Sequence, residues 1–233
     1  MSGSVVVHRY HGSLLTAFLV LLVIFIFVIL LVTIGEVAFE RIGFDPLEFI
    51  LILMGTLVGS LINVPVAELK SSEPLVEVQE MRIFGLYFRM PGVRYHQVST
   101  TLAVNVGGAV IPVMVSVYLL ATHVDLLPEA FAGVMVTAVL VHMMARKVKG
   151  VGIVTPALLP PVCAAIVAYL LVPGSPAVMA YVSGTLGALI GADLTNLRGT
   201  ARLGAPMMSI GGAGTFDGVF LTGLVAVLLV PLL

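Results

Sequence analysis

Tryptophan is absent from this chain of 233 residues, cysteine occurs once, and only 10% of residues are charged. The missing tryptophan removes the usual interfacial Trp belt of a membrane protein, which Tyr10, Tyr87 and Tyr95 can replace in part. A single cysteine, Cys163, excludes an intramolecular disulfide and a cysteine-built metal site. Its apolar neighbours mark it as a small packed hydrophobe. So little charge cannot solvate the surface of a water-soluble domain, where about 25% is ordinary. The net charge of −1 offers no electrostatic footprint for nucleic acid. Walker lysine, H-E-x-x-H and G-x-S-x-G motifs are also lacking, which removes the sequence warrant for an ATPase, a zinc protease or a serine hydrolase.

What is present is apolar. Hydrophobic residues make up 60% of the chain and the mean hydropathy is +1.18. This excludes a soluble enzyme, a disordered chain and a secreted disulfide scaffold. It predicts a single all-α domain over residues 1–233 that crosses the membrane several times. With about 20 apolar residues per crossing, seven transmembrane spans are expected at 13–37, 46–66, 98–121, 128–146, 151–172, 176–197 and 213–233. The first is too long for a removable signal peptide and lacks a small-residue cleavage site, so it reads as an anchor. Of the eleven Lys and Arg, ten fall on one side of these spans and only Arg41 on the other. The bias orients the bundle in the cell membrane with a cytoplasmic N-terminus and an external C-terminus. Segment 67–97 is the one sizeable soluble piece, a cytoplasmic loop. Partial alternation over Val76–Arg89, with Gly85 and Pro91 as turn signals, suggests a short hairpin there.

The chain carries signs of an internal repeat. Span two reads Pro46, Gly55-Thr56-Leu57, Asn63; span six reads Pro176, Gly184-Thr185-Leu186, Asp193. Each leads through an Arg- and Gly-containing loop to a glycine-rich span, with Asn105-Val106-Gly107-Gly108 in the third and Asp217-Gly218 in the seventh. The pattern is three spans, a linker span, then three spans, a plan common in transporters.

Of the twelve acidic residues, only Asp193 and Asp217 sit inside apolar segments. Charge there is costly, so an intramembrane carboxylate is a functional candidate by default. Asp193 lies 17 residues beyond Pro176, about 25 Å along a helix, in the cytoplasmic third of the bilayer. Asp217 enters span seven from the same side, and Asn63 and Asn105 fall at similar depth. Gly191, Gly211, Gly212, Gly214 and Gly218 allow close backbone approach around this level. Two carboxylates in an apolar site share a proton. One can then activate water while the other protonates a carbonyl oxygen, with no metal or cofactor. The same four polar residues would serve equally as the coordination shell of a cation- or proton-coupled transporter for a small solute.

Gly214-Thr215-Phe216-Asp217-Gly218 resembles the G-x-G-D region of the diaspartyl intramembrane proteases (presenilin, signal peptide peptidase, prepilin peptidase). Phe216 stands where that motif has its second glycine, and Ala192 where an aromatic residue precedes the other aspartate. Pro156-Ala157-Leu158 resembles their Pro-Ala-Leu motif but precedes the aspartates in the chain. The resemblance implies catalytic roles for Asp193 and Asp217 and a membrane-protein or peptide substrate. Gly214 and Gly218 would then admit an extended substrate strand and Pro156 would shape its groove. Asn63, Asn105, Gly191 and Asn196 complete the expected substrate contacts. Across Asn105-Val106-Gly107-Gly108, Gly191-Ala192-Asp193-Leu194 and Ser209 to Gly223, the chain also resembles an uncharacterised prokaryotic family of multi-pass proteins. His142, near the cytoplasmic end of span four, reads foremost as a capped or interfacial histidine, with a proton relay or metal ligand as alternatives. Pro112 and Pro160-Pro161 are expected to kink spans three and five, and Met207 and Met208 to pack or anchor a loop.

Overall fold

A computed structural model describes residues 14–83, 86–148, 152–197, 207–212 and 218–233. Seven α-helices carry the fold: α1 (Leu14–Arg41), α2 (Pro46–Gly59), α3 (Ile111–Thr122), α4 (Leu127–Met144), α5 (Leu159–Leu171), α6 (Pro176–Ala188) and α7 (Gly218–Leu229). Three helical stretches are long and apolar enough to cross a membrane: Thr16–Arg41, Val124–Met144 and Pro176–Asn196. Four further apolar helical stretches are shorter, at Pro46–Gly59, Val106–Thr122, Leu159–Leu171 and Gly218–Leu232.

The fold is mostly helical, as expected, but its strands go beyond the one short hairpin expected at 67–97 and correct the strictly all-α expectation. Five strands interrupt it: β1 (Asn63–Ile83), β2 (Leu86–Asn105), β3 (Arg146–Val148), β4 (Gly152–Val154) and β5 (Met207–Ile210). Strands β1 and β2 form an antiparallel hairpin from Asn63↔Asn105 to Ile83↔Leu86, with a bulge between Pro65 and Ala67. Strand β5 adds to β2 in parallel, pairing Ala103 with Ser209 and Val104 with Ile210. Strands β3 and β4 make a separate small hairpin.

Residues 63–66 and 98–105, expected inside helical spans, are therefore extended. Their chemistry explains it. Asn63-Val64-Pro65-Val66 combines β-branched residues with a proline that lacks the N–H a helix interior needs. Thr100, Thr101 and Val104 are β-branched as well. Helix α2 begins sharply, because Asp45 accepts from the Glu48 N–H (2.8 Å) while the Glu48 carboxylate accepts from the Asp45 N–H (2.9 Å). Pro46 occupies the first helical position, where its missing N–H costs nothing.

Helix α6 is the centre of the bundle. Met179, Ala180, Tyr181 and Val182 are buried on all sides by α4, α5 and α7. The end of α1 reaches this core through Phe39, whose ring lies 5.0 Å from Phe49 and 5.7 Å, edge-on, from Tyr181. Earlier in α1 the apolar side chains face outward, with Leu21 66% and Val23 65% exposed. A helix apolar all round with a bare surface suits lipid rather than water.

Candidate functional site

Helix α6 does not end regularly. It widens into a π-turn over Leu189–Asp193 and closes with a tight turn over Leu194–Asn196. The π-turn sits at a close crossing that only glycine permits: a Cβ on Gly191 would collide with the Ala138 carbonyl of α4. The wide turn leaves carbonyls without their usual helical donors, and nearby side chains satisfy them. The Asn196 amide donates to the carbonyls of Gly191 (3.1 Å) and Ala192 (3.0 Å). The Thr195 hydroxyl donates to Gly191 as well (2.8 Å). His142 of α4 holds this joint from outside, its Nδ1 2.7 Å from Thr195 Oγ1 and 3.2 Å from Asn196 Nδ2. Gly191 and Asn196 thus build the joint that carries Asp193.

Beyond the joint, Asp193 turns towards β5. Its Oδ2 accepts from the Gly211 N–H at 2.7 Å, the single donor to this carboxylate among the described residues. Gly211 has φ +74°, in the left-handed region that favours glycine. A Cβ there would meet Ala109 and Gly108 at 2.6–2.7 Å. Two glycine-rich segments, Val106-Gly107-Gly108-Ala109 after β2 and Gly211-Gly212 after β5, are thus brought into contact. In the sequence both segments read as a branched aliphatic residue, two glycines and an alanine, at 106–109 and 210–213.

Asn63 and Asn105 do meet. The Asn105 amide donates to Asn63 Oδ1 (3.1 Å) and to the Ser60 carbonyl (2.8 Å), and its own Oδ1 accepts from the Gly108 N–H (2.7 Å). Ser209 of β5 donates to the same Asn63 oxygen at 2.5 Å. The oxygens of both amides are thereby occupied by the protein itself. The cluster ties the end of α2 to β2 and β5, with Asn105 only 3% exposed.

Asp193 lines a cavity of about 380 Å³ whose other polar members are Thr155, Ser209 and Thr222. Its walls include Ile153, Pro160 and Met208, together with Gly218. The Thr222 hydroxyl is turned back on the Gly218 carbonyl (2.5 Å). The sequence does not single out Thr155, Ser209 and Thr222 as site residues, because isolated hydroxyls in apolar helices and strands carry no periodic signal. Asp217 and Gly214 lie outside the described residues, although residue 218, directly after Asp217, lines the cavity. Pro156 lines a different, neighbouring groove with Met143 and Arg146. Among the described residues no three His, Cys, Asp or Glu side chains gather as a metal site. A carboxylate anchored by one backbone N–H beside an apolar cavity can carry a proton, act in acid–base chemistry or hold a cation.

Compared with known proteins, the chain matches, over residues 57–229, the family described as protein of unknown function (DUF1614). The match covers β1 through α7 and therefore every part of the site above. No curated protein and no solved structure matches the chain.

Proposed function

The chain belongs to the DUF1614 family, and from that premise we propose that it is an intramembrane aspartyl protease-like hydrolase in which Asp193 and Asp217 form the catalytic pair. On this reading all seven helices cross the cell membrane, with the N-terminus cytoplasmic and the site near the cytoplasmic face. The shorter helices are completed across the bilayer by the extended segments that precede or follow them. Such backbone is tolerated at depth where protein or a cavity supplies its partners.

The observation that carries the reading is the cavity itself. It holds the Asp193 carboxylate, and it is lined by Gly218, the residue next to Asp217. One carboxylate would take a proton from water while its partner protonates the carbonyl oxygen of the peptide. The water oxygen then bonds to the carbonyl carbon, and the C–N bond breaks as the amine leaves with a proton. Gly218 has open space where a Cβ would stand, which suits the approach of an extended substrate, and Gly214 is assigned the same role from its place in the motif alone. The resemblance of Gly214–Gly218 to the G-x-G-D region supports the same assignment.

A cation- or proton-coupled transporter using the same aspartates is the second reading, favoured by the paired glycine-rich turns that relate the two halves. Against it stand Asn63 and Asn105, whose oxygens are already engaged by protein donors. The test needs no substrate. Detergent-solubilised protein is photolabelled with a transition-state-analogue inhibitor of aspartyl proteases. Labelling competed by unlabelled inhibitor and abolished in both Asp193→Asn and Asp217→Asn is the expected result. Folded wild type without specific labelling would favour transport, to be followed by ion flux in proteoliposomes.

A further inference from the structure

The β3–β4 hairpin has two different faces. Arg146 pairs with Val154 and Lys147 with Ile153 across the ladder. Ile153 lines the Asp193 cavity. On the opposite face Arg146, Val148 and Val154 line a second groove, of about 540 Å³, between the end of α4 and the start of α5. Thr155 borders both spaces, so the hairpin is a thin wall between them.

Apart from Thr155 at its border, this groove is apolar except for one cation. Met143, Leu159 and Pro156 line it with the hairpin valines, and Met143 is 76% exposed. Arg146 makes no ion pair among the described residues, and no carboxylate is among the groove's described lining. Its position relative to the membrane follows from helix length. The stretch Val124–Met144 has 21 residues, about 31 Å of helix, which matches a hydrocarbon core about 30 Å thick. Arg146 follows two residues later, at the headgroup boundary. A guanidinium at that level, beside apolar walls open to the acyl region, offers paired donors to a phosphate and a channel for the chain below it.

We propose that this groove binds an anionic phospholipid of the leaflet at that end of α4. Its phosphate sits on Arg146 and its first acyl segment lies along Met143 and Leu159. Because the hairpin also walls the Asp193 cavity, the bound lipid braces one side of the functional site. The site needs neither Asp217 nor the hydrolase reading, so its test stands apart from theirs.

Native mass spectrometry of the purified full chain tests it with three probes: phosphatidylglycerol, phosphatidylcholine and inorganic phosphate. Phosphatidylglycerol should be retained over phosphatidylcholine. Arg146→Gln should weaken its retention about tenfold, while Arg146→Lys should keep part of it as a point charge without the planar fork. Thermal unfolding of Arg146→Gln should match wild type, since the residue is exposed. Equal retention of the two lipids, unchanged retention in Arg146→Gln, or complete displacement by inorganic phosphate would each overturn the assignment. The last outcome would mark a free-phosphate site.

Discussion

Two glycines in opposite surroundings carry opposite expectations. A methyl on Gly107 would overlap the Thr56 carbonyl and the Ser60 N–H, whereas a methyl on Gly218 would meet nothing within 4 Å. Gly107→Ala should destabilise the protein by about 2 kcal/mol or more, because the obstruction is backbone and cannot move aside. Gly218→Ala should stay within about 0.5 kcal/mol of wild type. Thermal unfolding in detergent reads both, and a tolerated Gly107→Ala would contradict the close crossing of α2 with the turn after β2. The polar residues divide in the same way. Asn105→Ala removes the acceptor for the Gly108 N–H and the donor to Ser60. It should cost about 1–3 kcal/mol by leaving buried groups unpaired. Asp193→Asn keeps an oxygen for the Gly211 N–H, so the fold should survive while any function of the carboxylate is lost. Circular dichroism and unfolding of the two variants separate a structural amide from a functional acid.

At the scale of elements, helix existence was legible because hydrophobic runs announce it, but helix length was not. Spans two and three overran their helices because Val64, Val66 and Val98 are as apolar in a strand as in a helix, and hydropathy alone does not separate the two. The separating signals were local: Pro65 in the second span, and Thr100-Thr101 ahead of the third. Gly85 was legible as a turn signal, and the hairpin's two strands end on either side of residues 84–85. The π-turn that ends at Asp193 was hidden, since its closest neighbour, the Ala138 carbonyl, is 53 residues distant from Gly191 in the chain. The start of α2 depends on chemistry that is local. Asp45→Ala removes one half of a reciprocal cap and should cost about 1 kcal/mol, measurable as a lowered unfolding temperature. An unchanged temperature would mean that packing by Phe49 and Leu53 alone sets where the helix begins.

For the molecule as a whole, seven helices occupy the order in which seven apolar segments run along the sequence. The β1–β2–β5 sheet joins segments far apart in the chain. The strands that lead into the two glycine-rich segments, β2 and β5, lie side by side and parallel. Of the site, Asp193 was legible as a carboxylate within an apolar run. Asn63 and Asn105 were legible as polar residues at one depth, but whether they stay open or bond to each other is decided by tertiary contacts that no spacing encodes. The proposed catalytic pair requires Asp193 and Asp217 to face one cavity. Cysteine cross-linking tests it in a Cys163→Ser background, with Asp193→Cys and Asp217→Cys introduced together in membranes. Ala103→Cys with Ser209→Cys, across the β2–β5 ladder, serves as the positive control. Rapid bridging of the 193/217 pair by oxidation or by a short bifunctional maleimide is the predicted result. Bridging of the control pair alone, with 193 and 217 left as free thiols, would contradict the account.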